Sequence, residues 1–292
     1  MPAPHPDPTP LAVRTDVTPA RHGTVLWHVA RQIRRVLPRR EYVRYRGHYL
    51  PLKGMRSQMC GVEFASEEFF VESGRAEAKR LIASLGLSPA SKVVEIGSGL
   101  GRLAIGLFQE AGRVEYWGFD ANALWIAWCR KHIEPRHPSY RFIHVDVANE
   151  LYNPTGATLG DRFRFPLADA HADIVYMWGV FTNMRLDDAR VYVRETGRLL
   201  RHGGRAFLTA FVESNVPAES INPPGYVDYA CTLPLHVVRY DQDVLFSMFA
   251  EAGLTVEHFG HHAGRQCNQS EIYLRKIGDP HRIPAAQDVI TD

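Results

Sequence analysis

The run Glu95-Ile96-Gly97-Ser98-Gly99-Leu100-Gly101 sets a carboxylate and three glycines on alternate positions directly after the apolar pair Val93-Val94. Glycines so placed let the chain turn sharply and let a ligand lie against backbone where a Cβ would collide. A helix that follows offers its unpaired N–H groups. The chemistry this spacing fits is the holding of a nucleotide-like cofactor. A dinucleotide fingerprint, G-x-G-x-x-G, needs its third glycine where Arg102 stands. Two more acids close apolar runs downstream: Asp120 after Tyr116-Trp117-Gly118-Phe119, and Asp146 after Phe142-Ile143-His144-Val145. Ligands of a doubly wound sheet lie outside the carboxyl ends of its strands. An ionised carboxylate there accepts from both hydroxyls of a ribose, a role that Asp120 fits.

The elements that must position these residues alternate along the chain. Strand signals at 92–96, 114–119, 140–145, 172–178 and 204–211 are separated by helix signals at 102–112, 123–132 and 186–200. A helix at 241–252 and two closing strands near 255–259 and 271–276 follow. The expected fold is α/β: a doubly wound, mostly parallel seven-stranded sheet with helices on both faces, an antiparallel terminal strand and an N-terminal helical extension. The expected organisation is a disordered Pro-rich tail at 1–20, a helical extension or cap at 21–87, the cofactor domain at 88–278 and a C-terminal tail at 279–292. Within the extension, 24–37 reads as a basic amphipathic helix that covers an apolar patch of its own domain in preference to a membrane. Residues 39–63 read as an aromatic and polar loop, and Ser66-Glu67-Glu68 starts a helix ending at Gly86. Gly203 and Gly204 are expected to cap the helix before the fifth strand.

The first glycine run resembles the first motif of class I S-adenosylmethionine-dependent methyltransferases of the small-molecule type. Ala172 to Thr182 resembles that family's fourth-strand motif, and Glu195 to Arg205 its helix and turn before the fifth strand. The resemblance implies S-adenosyl-L-methionine as cofactor, with the loop of Gly97, Ser98, Gly99 and Gly101 around the methionyl part and Glu95 supporting the amino group. It also implies Asp120 on the ribose, Asp146 on the adenine amino group with Val147 beside it, and contacts from Ala121 and Trp178. The implied reaction is in-line displacement of the sulfonium methyl group by an oxygen or nitrogen of a small metabolite, much of the rate coming from alignment.

On the acceptor side the sequence departs from the family. A histidine often follows Val-Phe-Thr in such sequences, and here Asn183 does; an amide is no general base. The catalytic candidates are Asn183 together with Tyr226 and His236, which lie in the segment 212–240. That segment and residues 39–70 are expected to set specificity. Asn222-Pro223-Pro224-Gly225-Tyr226 is similar to the Asn-Pro-Pro-Tyr of base-modifying amino-methyltransferases, but an inserted glycine and its place after the fifth strand exclude that use. His258, His261 and His262 lack a carboxylate or cysteine at ligand spacing, so no metal is expected.

Bulk composition narrows the classes. The 292 residues are 45% hydrophobic and 23% charged, with a formal net charge of +2, which gives no electrostatic case for nucleic acid. Cys60, Cys129, Cys231 and Cys267 form no paired motif. A cytoplasmic monomer or homodimer with a small-molecule substrate is expected. The alternatives are a nicotinamide-dependent oxidoreductase and a cofactor-binding scaffold without turnover.

Overall fold

The computed structural model describes residues 41–264 and 268–277. The expected tails at 1–20 and 279–292, and the basic helix at 24–37, lie outside the described residues. What is described of the extension does not begin as a helix. Strands β1 (Tyr42–Tyr45) and β2 (His48–Pro51) pair antiparallel around Arg46 and Gly47, whose φ angles of 47° and 85° make a tight hairpin turn. Helix α1 (Lys53–Cys60), a 3₁₀ turn at Val62–Ala65 and helix α2 (Glu67–Leu85) follow. Ser66 caps α2 by accepting from the Phe69 N–H at 3.2 Å, and Gly86 ends it with φ 70°.

The main sheet is built from β3 (Lys92–Ile96), β4 (Glu115–Asp120), β5 (Tyr140–His144), β6 (Ala172–Met177), β7 (Leu200–Glu213), β8 (Glu219–Ile221), β9 (Val238–Asp241), β10 (Leu254–Gly260) and β11 (Gln269–Lys276). Seven of these run in the order β10-β11-β7-β6-β3-β4-β5. Strand β11 is antiparallel to both neighbours and the remaining pairings of that path are parallel. The last strand in sequence is therefore second from the edge in space. Strands β8 and β9 add a hairpin beyond the expected seven, with β9 parallel to the end of β7.

Alternate side chains of each strand feed two cores. Val93, Tyr116 and Phe142 pack under α2 and under helices α3 (Arg102–Glu110) and α4 (Ala123–His132). Val94, Phe119 and Val175 pack under helices α5 (Leu186–Leu199) and α6 (Gln242–Glu251). Gly203 and Gly204 do not cap α5, which ends at Leu199 and runs straight into β7. Gly203, at φ 74°, instead sits in a bulge where Ala172 pairs with Leu200 and Ile174 with Arg205.

Arg56 holds the first wall of the later site together. It is fully buried, and its guanidinium donates to the carbonyls of Pro51, Ala65 and Phe64 (3.1 Å to the last) and to Glu67 Oε1 at 2.6 Å. One rigid fork thus ties β2, the 3₁₀ turn and the start of α2 around α1. Arg56→Met leaves these carbonyls unsatisfied and is expected to cost about 3 kcal/mol or more by urea unfolding. Arg56→Lys recovers only part, since an ammonium lacks the fork.

Candidate active site

A cavity of about 1060 Å³ lies at the carboxyl ends of the strands, lined from the turns after β3, β4, β5 and β6 and by the segment 57–63. At one end is the glycine turn. Gly97 and Ser98 donate their N–H groups to the Phe119 carbonyl at 2.7 and 2.9 Å, which locks the turn to the end of β4. Asp120 then receives Gly99 N–H on Oδ2 at 2.7 Å and Asn122 N–H on Oδ1 at 2.8 Å. One carboxylate clamps two turns, and each oxygen keeps a lone pair for a further donor. Burial pushes its pKa up to about 6, against the pull of the Asn122 and Gly99 amides.

Glu95 stands beside it at 5% exposure, accepting from the Tyr116 hydroxyl. Burial pushes its carboxyl up to about 8, with Tyr116 and Arg102 opposing and Asp120 reinforcing. Arg102, itself buried, lies 4.7 Å over the Trp178 ring. Ser98 Oγ is buried without a hydrogen-bond partner. Two acids and an orphan hydroxyl beside the glycine turn fit a cationic, hydroxyl-bearing ligand.

The glycines act differently from the expectation of bare backbone under a ligand. Gly97 and Gly99 are left-handed (φ 80° and 52°), but a Cβ there would come within 2.4 Å of Val180 Cγ2 and of Met59 Sδ respectively. They are needed so that the loop after β6 and helix α1 can close over the turn. Met59 Sδ also accepts the Leu100 N–H at 3.1 Å. Gly101 does not line the cavity; a Cβ there would meet Ile133 Cδ1 at 2.4 Å, so it seats the start of α3 against α4.

Of the other expected cofactor residues, Ala121, Val147 and Trp178 line the cavity. Asp146 does not: it is exposed, and its Oδ1 accepts from Asn153 Nδ2 at 2.9 Å. The loop that follows folds back through a Val147–Ala157 bridge and carries the carboxylate away. Trp125 and Tyr152, 5.6 Å apart, line the cavity in that region and were not foreseen.

Met184, Phe211, Tyr229, Leu233 and His236 also line the cavity, the His236 ring 5.1 Å from that of Tyr229. The His236 Nδ1 is buried without a hydrogen-bond partner. Asn183 lines the cavity, yet both its amide hydrogens are spent on backbone: Nδ2 donates to Leu235 O at 2.7 Å and His236 O at 2.9 Å. It brackets the backbone at Leu235 and His236. Tyr226 lies outside the cavity lining, and its hydroxyl donates to Glu213 Oε1 at 2.9 Å. The same carboxylate reaches His261 and His262, so those histidines do have the acidic partner that their sequence spacing lacked.

A family model for the methyltransferase domain matches residues 93–204. Among solved structures, a complex between the Haloferax volcanii Trm112 methyltransferase activator and a methyltransferase is similar at TM-score 0.52 and 15% identity, covering 72% of this chain and 93% of that one. An S-adenosylmethionine-dependent methyltransferase from Aquifex aeolicus is similar at TM-score 0.48 and 14% identity, covering 69% and 90%. Magnesium protoporphyrin IX methyltransferase from Synechocystis, with S-adenosylhomocysteine bound, is similar at TM-score 0.48 and 12% identity, covering 70% and 82%.

Asp120→Ala is expected to weaken S-adenosylmethionine binding at least tenfold in calorimetry, through the loss of hydrogen bonds to a charged acceptor, with an unchanged circular dichroism spectrum. The raised carboxyls also set a pH dependence. A folded pKa above the unfolded value means the native state holds more protons, so stability falls as pH rises between the two values. Without cofactor, these two carboxyls therefore lower the melting temperature as pH rises from 5 to 8, and the difference between wild type and Glu95→Gln should widen above about pH 6, where Glu95 is the one of the pair still titrating. Residues 93–204 match the methyltransferase-domain model, and with the glycine turn and its clamped acid they mark a methyltransferase domain whose cofactor is S-adenosyl-L-methionine.

Proposed function

We propose that this methyltransferase acts on an oxygen or nitrogen of a small metabolite bearing an apolar or aromatic ring, with His236 as the general base. The observation that carries the reading is one cavity lined both by the acid-bearing glycine turn and by His236 with aromatic and aliphatic side chains. Bound S-adenosylmethionine supplies an activated methyl group on its sulfonium.

The chain's own residues do the rest. Gly99 and Asn122 amides hold Asp120 ready to accept ribose hydroxyls, and Glu95 is placed for the amino group, directly or through water. The buried Met184 and Phe211 give the acceptor an apolar wall, and alignment with desolvation then lowers the barrier. Among the described residues lining the cavity, His236 is the one imidazole. Its buried, unpaired Nδ1 and the Asn183 bracket behind it suit a base that takes the proton of an acceptor hydroxyl or amine. Specificity is assigned to residues 39–70, of which Ser57, Gln58, Met59, Gly61, Val62 and Glu63 line the cavity, and to 212–240, which supplies Tyr229, Leu233 and His236. The protein is read as a cytoplasmic monomer or homodimer that does not use nucleic acid; none of its described helices is long and apolar enough to cross a membrane.

The test is a panel of phenols, catechols and aromatic amines scored for formation of S-adenosylhomocysteine and methylated product. On an acceptor that turns over, His236→Ala should lower kcat about a hundredfold with the Kd for S-adenosylmethionine unchanged. An unaltered kcat would remove His236 as base, and turnover only of strongly polar acceptors would overturn the apolar reading.

A further inference from the structure

Beside the cavity, and outside it, side chains from three parts of the chain converge on one carboxylate. Glu213 ends β7, two residues past Phe211 and so on the same face of the strand. His261 and His262 sit in the turn between β10 and β11, and Tyr226 in the segment between β8 and β9. His262 Nε2 lies 2.6 Å from Glu213 Oε1 and His261 Nε2 lies 3.1 Å from Oε2. The two imidazoles stack with centroids 3.8 Å apart. His262 is held at φ 51°, a left-handed conformation that an L side chain rarely adopts, with its N–H on Ser270 Oγ at 3.2 Å. That backbone, costly in itself, is what aims the second imidazole at the same carboxylate as the first.

We propose that Glu213, His261 and His262 bind one divalent transition-metal ion of the zinc class, leaving its fourth position open. The three donor atoms lie within 4.8 Å of one another. With ligand bonds of about 2.0–2.1 Å, neighbouring donors of a tetrahedral zinc are about 3.3 Å apart. The observed 3.1 and 2.6 Å require only a small outward movement of exposed rings. Two imidazoles with one carboxylate suit zinc, whereas magnesium and calcium take larger sets of oxygen ligands. Tyr226 supplies the outer partner that orients a ligating carboxylate, donating to Oε1 at 2.9 Å, with Arg239 5.1 Å over its ring. The ion cross-links the end of β7 to a turn 48 residues further on. Phe211 and Gln269, which flank this cross-link on β7 and β11, both line the cavity. The site therefore fixes one rim of the acceptor end without entering it.

Calorimetric titration of the chelator-treated full chain with Zn²⁺, and separately with Mg²⁺, tests this independently of any methyl acceptor. The expected result is one Zn²⁺ per chain, a higher melting temperature with Zn²⁺ and no heat with Mg²⁺. Glu213→Gln and His262→Ala should each weaken Zn²⁺ binding at least a hundredfold. Tyr226→Phe should weaken it about tenfold, as loss of an outer partner does. His258→Ala, on β10 with its ring 5.5 Å from that of Tyr273, serves as the control and should leave binding unchanged. Absence of binding to the wild-type chain overturns the proposal whatever the variants do. So does a Zn²⁺ affinity that Glu213→Gln and Tyr226→Phe leave unchanged, which is adventitious capture by surface imidazoles.

Discussion

Glu95 and Asp120 lie at the ends of adjacent parallel strands, Glu95 buried and Asp120 half-buried, within one glycine turn of each other. Removing a carboxylate from water is expensive, and two of them side by side repel. The chain offsets part of this with donors aimed at the charged forms: the Gly99 and Asn122 amides on Asp120, and the Tyr116 hydroxyl on Glu95. The remainder shows as raised pKa values of about 6 and about 8. A site left in this condition favours a ligand that carries positive charge and hydroxyl donors together. The sulfonium, the ammonium and the ribose of S-adenosylmethionine meet that demand, whereas a dinucleotide with two phosphates would meet repulsion.

The rest of the molecule is arranged around keeping that turn dry. Met59 comes over Gly99 from α1 and Val180 over Gly97 from the loop after β6, each filling space that a Cβ would take. Helix α1 stays in place because its own Arg56 is buried and donates to carbonyls of β2 and of the 3₁₀ turn. At the far end of the cavity the same economy of contacts recurs. Asn183, from the loop that carries Val180, grips the backbone at Leu235 and His236, so one short loop couples the cover of the cofactor end to the position of the acceptor end.

Much of this was legible in the sequence, for local reasons. Strands buried on both faces read as short apolar runs, and the acid that closes each run marks its carboxyl end. That was enough to place Glu95, Asp120 and the glycine turn. Asp146 misled because nothing in its own run shows that Asn153 draws it outward. Gly203 and Gly204 read as a helix stop, but the pairing of β6 with Leu200 and Arg205 turns them into a bulge. The cover of the turn was out of reach because Met59 and Leu100 are 41 residues apart. The same distance problem hid the bracket between Asn183 and His236 and the meeting of Glu213 with His261 and His262. Contacts between side chains far apart in sequence carry no period and no local signature, and they decide which polar groups face the cavity.

A cationic ligand completes the ionisation of the buried Glu95 and the half-buried Asp120 at the cofactor end. This is tested most directly by calorimetric titration with S-adenosylmethionine at pH 6.5 in two buffers of different ionisation enthalpy, which counts the protons exchanged on binding. The expected result is net release approaching one proton per site, mostly from Glu95, and a release that largely disappears in Glu95→Gln. Binding with no proton exchange, or with net uptake, would contradict it.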